Sequence, residues 1–183
     1  FPPVGFRAMY ELSEVETVGV VGAGTMGAGI AQVAATAGYD VVMRDVESDF
    51  VENGFDAIED SLSRLVARDE LTDSEAEAAQ DRITGTTELD DLRVADFVVE
   101  AAPENMEIKR DIFEDLDDVT EEGTVLGTNT STLSITTIAS ATDRPDEVVG
   151  LHFMNPVPIM TGVEVVTGER TDGAVTALAH EFA

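Results

Sequence analysis

The sequence predicts an α/β domain, a doubly wound and mostly parallel sheet with a helical hairpin inserted into it. Short apolar runs recur along the chain, helical patterns separate most of them, and a glycine-rich turn joins the first run to the first helix. Strands that alternate with amphipathic helices form a parallel sheet covered on both faces, because each helix must bury its apolar stripe while carrying the chain back.

Strands are expected at Val18–Val21, Val41–Met43, Phe97–Val99, Val125–Leu126, Val148–Leu151 and Val163–Val166. Ile30, Val33, Ala34 and Ala37 repeat at i, i+3, i+4 and i+7, the spacing of one helix face. Val51, Phe55, Ile58, Leu62 and Leu65 mark a longer helix, and Ile108, Ile112, Leu116 and Val119 another. A shorter acidic helix over Ser74–Arg82 pairs with the long one as the hairpin. Ser and Thr crowd the stretch from Thr124 to Thr142, yet Val125, Leu126, Leu133, Ile135 and Ile138 give it a strand and a short helix. An alanine-rich helix (Ala174, Ala177, Ala179) comes last, with Leu178 and Phe182 expected to be exposed and His180 a polar surface residue.

By length the 183 residues make one domain, and 43% apolar content suffices for a core. The net charge is −28, from 38 acids against 10 basic residues, and Lys109 is the only lysine. Nucleic acid and anionic membranes both need a cationic surface, so neither is expected as a partner. High charge produces disorder only where hydrophobicity is low, so the chain reads as a folded domain with an acidic, lysine-poor surface, as in salt-adapted cells. At about 1 M salt the Debye length falls to roughly 3 Å, and such self-repulsion becomes tolerable. The lack of cysteine excludes disulfides and thiolate metal sites. Thr17 to Tyr39 carries no charge until Asp40, but its glycines (Gly19, Gly22, Gly24, Gly27, Gly29, Gly38) and β-like start argue against a membrane span. No basic segment precedes it as in a signal peptide, so the protein is expected in the cytoplasm. FPPVGFRA, before Met9, has no pattern; residues 1–16 are expected as an N-terminal extension to a domain over 17–183.

VGVVGAGTMGAGIAQVAATAGYDVVMRD carries the first chemistry. Gly22, Gly24 and Gly27 form a GxGxxG between the first strand and its helix. Gly22 allows a tight turn, Gly24 lets a pyrophosphate approach the backbone, and Gly27 lets helix and strand pack closely. Thr25 and Met26 lie in the same loop and are assigned with it to the cofactor, where the helix N-terminus offers free N–H groups to phosphate. A GxGxxG by itself is weak evidence. Here it has its strand, its helix and an acid, Asp45, at the end of the second strand about 20 residues on, which is the Rossmann-type pattern. Asp45 is placed to accept from a ribose hydroxyl and to repel a 2′-phosphate, favouring NAD over NADP, while strand alternation points Arg44 to the opposite face. The competing reading is a glycine-rich turn that binds nothing.

Gly22, Asp45, Glu100, Ser131 and His152 all fall at or just past the C-terminal end of an expected strand, the edge where open α/β sheets bind ligands. In GLHFMNPVPIMTGVEVV, His152 ends one apolar run and Glu164 interrupts the next, which reads as an acid buried opposite the imidazole. A chain reversal near Pro158, midway between them, puts the two on adjacent antiparallel strands. Imidazole is suited to proton removal near neutrality, and a carboxylate at one ring nitrogen fixes its tautomer. The bland alternative is a strand-capping histidine and an acid on a solvated face, the commoner fate of a lone histidine. Ser131, among so many hydroxyls, also reads as a turn residue.

GAGTMGAGIAQVAATAGYDV, VVEAAPENMEIKRDIFEDLD, NTSTLSITTIA and GLHFMNPVPIMTGVEVV, in that order, resemble the NAD-binding domain of 3-hydroxyacyl-CoA dehydrogenase from about Val18 to Val166. The resemblance implies NAD as cofactor, a (3S)-3-hydroxyacyl-CoA as substrate, and a place in fatty acid β-oxidation or butanoate metabolism. It implies that His152 is the general base, that Glu164 holds the imidazole, and that Ser131, with Asn155 in support, meets the substrate oxygen. Glu104 and Lys109 match positions that line the cofactor site; Ser61 and Arg68 match positions that meet coenzyme A, although an exposed arginine is more often simply solvated. It also implies a helical domain after Ala183 that supplies the acyl pocket and a homodimer surface, so the chain by itself is expected to be inactive. Two departures stand out: Thr161 and Gly162 replace a lysine and a large apolar residue, and a basic run at the end of the long helix reads ARDEL. A 3-hydroxyacid or 6-phosphogluconate-type dehydrogenase is the second enzyme reading, weakened because that group uses a catalytic lysine. An inactive nucleotide-binding fragment is the third.

Overall fold

The computed structural model describes residues 10–183; the patternless stretch before Met9 lies outside the described residues. Seven strands form one sheet: β1 (Thr17–Val21), β2 (Asp40–Arg44), β3 (Ile83–Thr86), β4 (Phe97–Glu100), β5 (Val125–Thr128), β6 (Val148–Phe153) and β7 (Val163–Thr167). Their order is β3-β2-β1-β4-β5-β6-β7, with every neighbouring pair parallel except β6 and β7. The expected strands are all present, and β3 is an addition. Only Ile83 of β3 is buried while Thr84 and Gly85 are exposed, so this edge strand leaves no apolar run in the sequence. With β3 in place, the helical hairpin of α2 (Ser48–Ala67) and α3 (Asp73–Asp81) is the crossover from β2 to β3, not an insertion. Thr72 and Glu75 close the start of α3 with a capping box.

The remaining helices are α1 (Thr25–Ala37), α4 (Met106–Val119), α5 (Ile135–Ala139) and α6 (Gly173–Phe182). Strand alternation splits the core in two: Phe97 and Val99 join the cluster with α1, α2 and α6, while Val98 joins Phe113 and Leu116 of α4 on the other face. The face of α4 differs from the expected one. Ile108 is 41% exposed, and the buried row is Lys109, Phe113 and Leu116, because a lysine with a buried partner outranks an isoleucine at the helix start. The last helix differs as well. Leu178 is buried, and Phe182 stacks on Phe97 with centroids 4.4 Å apart, so both pack inward.

Part of the expected extension belongs to the domain. Val15 is in the core, and the Tyr10 hydroxyl donates to Glu147 Oε1 at 2.9 Å. Glu147 is itself held by Arg144, 3.0 Å away, which also meets Asp117 at 2.6 Å and the carbonyl of Glu121. Among the described residues no helix is long and apolar enough to cross a membrane.

Candidate active site

The strand order reverses at β1, which has β2 on one side and β4 on the other, so the loops leaving their C-terminal ends open a crevice. Gly22 starts the glycine loop with φ 99°, a left-handed conformation that suits glycine. A Cβ on Gly27 would lie 1.7 Å from the Gly22 carbonyl oxygen, so only glycine permits this strand–helix approach. Above Gly24 nothing lies within 4 Å of where a Cβ would stand. That open cradle at the start of α1 fits a pyrophosphate against backbone N–H groups. Asp45 fastens the loop: Oδ2 accepts from Ala23 N at 2.6 Å and Oδ1 from Val46 N at 2.7 Å. Each carboxylate oxygen keeps a lone pair for a ribose hydroxyl. Arg44 turns away, its Nε donating to the Thr87 carbonyl at 3.3 Å.

His152 and Glu164 are direct partners in the antiparallel register of β6 and β7. His152 Nδ1 lies 2.8 Å from Glu164 Oε2, and Nε2 lies 3.0 Å from Ser131 Oγ. An ionised carboxylate only accepts, so Nδ1 carries the proton and Nε2 of the neutral ring accepts from the serine hydroxyl. Glu164 is not buried as expected: its side chain is 65% exposed, because β7 is the outermost strand, whereas His152 is 25% exposed. Asn129, which sequence reasoning left out, holds the end of β6 by accepting from Phe153 N at 2.9 Å. Its only sequence signal is its place at the head of NTSTLSITTIA.

Glu104 organises the Ser131 loop. Its Oε1 accepts from Thr130 Oγ1 at 2.6 Å, from Ser131 N at 3.0 Å and from Thr132 N at 3.2 Å. Burial pushes the Glu104 carboxyl up, but these hydrogen bonds and the charge of Lys109 outweigh it and hold it below the usual range. Lys109 does not line the crevice. It is fully buried, with Nζ 2.7 and 2.9 Å from the two Glu100 oxygens and 3.2 Å from the Ala102 carbonyl. Its distance to Glu104 Oε2 is 3.9 Å, so it supports that carboxylate from behind. Glu100, fully buried, is also met by Thr128 Oγ1 at 2.7 Å and Ala102 N at 2.6 Å. A charge pair taken out of water requires this full set of partners.

Two cavities meet at Asn155. One, about 350 Å³, is lined by Met26, Ala101, Glu104, Ser131, His152 and Asn155. The other, about 180 Å³, is lined by Thr25, Gln32, Ser61, Arg64, Asn155 and Pro158, among others. Ser61 lines this cavity, and its cationic neighbour there is Arg64, one helical turn on. Arg68 caps the C-terminus of α2, exposed and outside the cavity. A larger cavity of about 850 Å³ opens at the opposite sheet edge, with Glu11, Glu16, Asp96, Glu121 and Glu122 in its lining and none of the site residues. Among the described residues no cluster of His, Cys, Asp or Glu could hold a metal ion.

Residues 17–183 match the family described as 3-hydroxyacyl-CoA dehydrogenase, NAD binding domain. The chain belongs to this family. NAD is accordingly the cofactor of the domain, and the open glycine cradle with Asp45 fits it. Among relatives of this 3-hydroxyacyl-CoA dehydrogenase domain, the 3-hydroxybutyryl-CoA dehydrogenase of Bradyrhizobium diazoefficiens is 45% identical over 168 residues, covering 92% of this chain and 57% of that protein. The 3-hydroxyadipyl-CoA dehydrogenase of Escherichia coli is 44% identical, over 88% of this chain and 34% of its own. The crystal structure of (S)-3-hydroxybutyryl-CoA dehydrogenase from Ralstonia eutropha superposes with a TM-score of 0.89 at 41% identity, over 92% of this chain and 61% of that one. The chain thus spans little more than half the length of the 3-hydroxybutyryl-CoA dehydrogenases it matches.

Proposed function

We propose that the whole protein oxidises (3S)-3-hydroxyacyl-CoA thioesters to 3-oxoacyl-CoA with NAD. The observation that carries this reading is the Ser131–His152–Glu164 chain of hydrogen bonds, whose Ser131 and His152 line the same cleft as Met26 of the glycine loop. NAD, when bound, supplies the acceptor for the hydride that leaves C3. Gly22, Gly24, Thr25, Met26, Gly27 and Asp45 hold it, with Glu104 at the cleft wall and Lys109 behind. His152 Nε2 removes the hydroxyl proton as the hydride departs, since a secondary alcohol gives up hydride only as its proton is taken. Glu164 keeps Nδ1 protonated and faces the imidazolium that forms. When substrate enters, the Ser131 hydroxyl turns its one proton from Nε2 to the substrate oxygen, leaving Nε2 open to the substrate hydroxyl, with Asn155 beside it. Ser61 and Arg64 stand ready for the phosphate-bearing end of coenzyme A, because a guanidinium matches phosphate geometry.

The names of the relatives support acyl groups of short or medium length. The 3-hydroxyacid or 6-phosphogluconate-type alternative needs a catalytic lysine, and the single lysine here is sealed in an ion pair with Glu100. Steady-state assay of the whole protein with acetoacetyl-CoA and NADH tests the reading; turnover of a free 3-hydroxyacid with none of the thioester would overturn it. We further propose a cytoplasmic homodimer in a salt-adapted cell, fed by neither nucleic acid nor membrane. The net charge of −28 supports the salt adaptation and speaks against polyanionic partners. The homodimer rests on the family resemblance.

A further inference from the structure

The segment after β6 runs across α1, and its Asn155 is the wall shared by the cleft at His152 and the cavity at Ser61 and Arg64. What seats this wall is apolar. Val157 is 5% exposed and packs on Gly29 of α1, where an added Cβ would lie 2.9 Å from Val157 Cβ, 3.2 Å from its Cγ2 and 3.6 Å from Pro158 Cδ. The amides of Ile159 and Met160 both donate to the Pro156 carbonyl, at 3.0 and 2.9 Å, closing a turn directly behind the contact. Gly29 lies inside a helix in ordinary helical backbone, where glycine weakens the helix relative to alanine. Its missing side chain is therefore a socket for Val157. A substrate that spans both cavities must pass Asn155, so the depth of the socket sets how far the reacting carbon stands from the nucleotide end.

We propose that Gly29 and Val157 are positioning residues that fix the Asn155–Pro158 wall and thereby the span of thioester the site accepts. The proposal rests on the thioester reading above. The test uses the whole protein with Gly29→Ala, Val157→Gly (which removes the Cβ that an added methyl at Gly29 would strike) and the double variant, assayed with acetoacetyl-CoA and with the acetoacetyl thioester of N-acetylcysteamine, which lacks the nucleotide. Overpacking in Gly29→Ala should raise KM for acetoacetyl-CoA about tenfold while kcat changes less. KM for the truncated thioester and Kd for NADH should stay unchanged, and the double variant should return KM to within about threefold of the unsubstituted protein. If Gly29→Ala does not fold, Val157→Ile crowds the same contact from the loop side and should give the same split. An equal rise of KM for both thioesters, or no rescue by the second substitution, overturns the proposal. Turnover of acetoacetyl-CoA by the unsubstituted protein tests the thioester reading separately; its absence would sink that reading and this inference with it.

Discussion

His152 and Glu164 face each other across two antiparallel strands, with Nδ1 2.8 Å from Oε2. The register keeps the imidazole in the tautomer whose Nε2 is unprotonated and accepts from the Ser131 hydroxyl. In the whole protein, His152→Gln should lower kcat by about 10³–10⁴-fold, because a glutamine amide cannot serve as the base. Glu164→Gln should cost less, about 10²-fold, since the carboxylate is largely solvated and water can partly replace it. Near-normal turnover in His152→Gln would remove this histidine from the mechanism.

Glu104 ties the loop that presents Ser131, and its carboxyl is held below the usual range by the bonds it accepts. A depressed folded-state pKa contributes stability above the unfolded value, and that contribution is lost as pH falls through the folded value. Glu104→Gln should therefore melt lower than the unsubstituted domain at neutral pH. The difference should shrink once the pH drops below the ordinary carboxylate range. A gap in melting temperature that stays constant down to strongly acid pH would contradict this account.

Asp45 fastens Ala23 N, and the proposed function gives it a second task, accepting from the ribose. Asp45→Ala should weaken NAD about tenfold or more, as expected for losing a hydrogen bond to a charged group. NADP should lose less, because a 2′-phosphate no longer meets a carboxylate. Calorimetric titration of both cofactors in high salt measures this, and an unchanged ratio of the two affinities would refute the assignment.

Arg64 lines the cavity with Ser61, whereas Arg68 does not. Arg64→Ala should raise KM for acetoacetyl-CoA about tenfold and leave kcat nearly unchanged, the signature of lost uniform binding. Arg68→Ala should have a smaller effect on the same constant. The reverse order would restore the residue that the sequence alone suggests.

The surface charge predicts a salt response. With a net charge of −28, self-repulsion should dominate in dilute buffer and fade as the screening length shortens. The melting temperature followed by circular dichroism should climb as KCl rises from low to molar concentration. A flat profile would give the acids another purpose.

Much of the fold was legible because it rests on local periodicity. Val18–Val21 and Val148–Leu151 are continuous apolar runs because parallel strands are buried on both faces. The two-residue alternation and a reversal near Pro158 were enough to bring His152 and Glu164 opposite each other. β3 was not legible, because an edge strand with one buried residue has no periodicity to detect. The inward packing of Phe182 is not legible either, because no local rule announces that Phe97, far away in the chain, offers it a ring to stack on.

The sequence by itself determined the glycine cradle, the acid at the end of β2 and the strand ends at or beyond which Ser131 and His152 stand, since each depends on residues close in the chain. The tertiary structure alone decided that Lys109 points into the core toward Glu100, that Arg64 and not Arg68 joins Ser61, and that Gly29 is a socket for Val157. The physical reason is the same in all three. Whether a charge is buried, a cation faces a cavity or a missing Cβ is filled depends on which distant surface packs against it, and spacing along the chain carries no record of that surface.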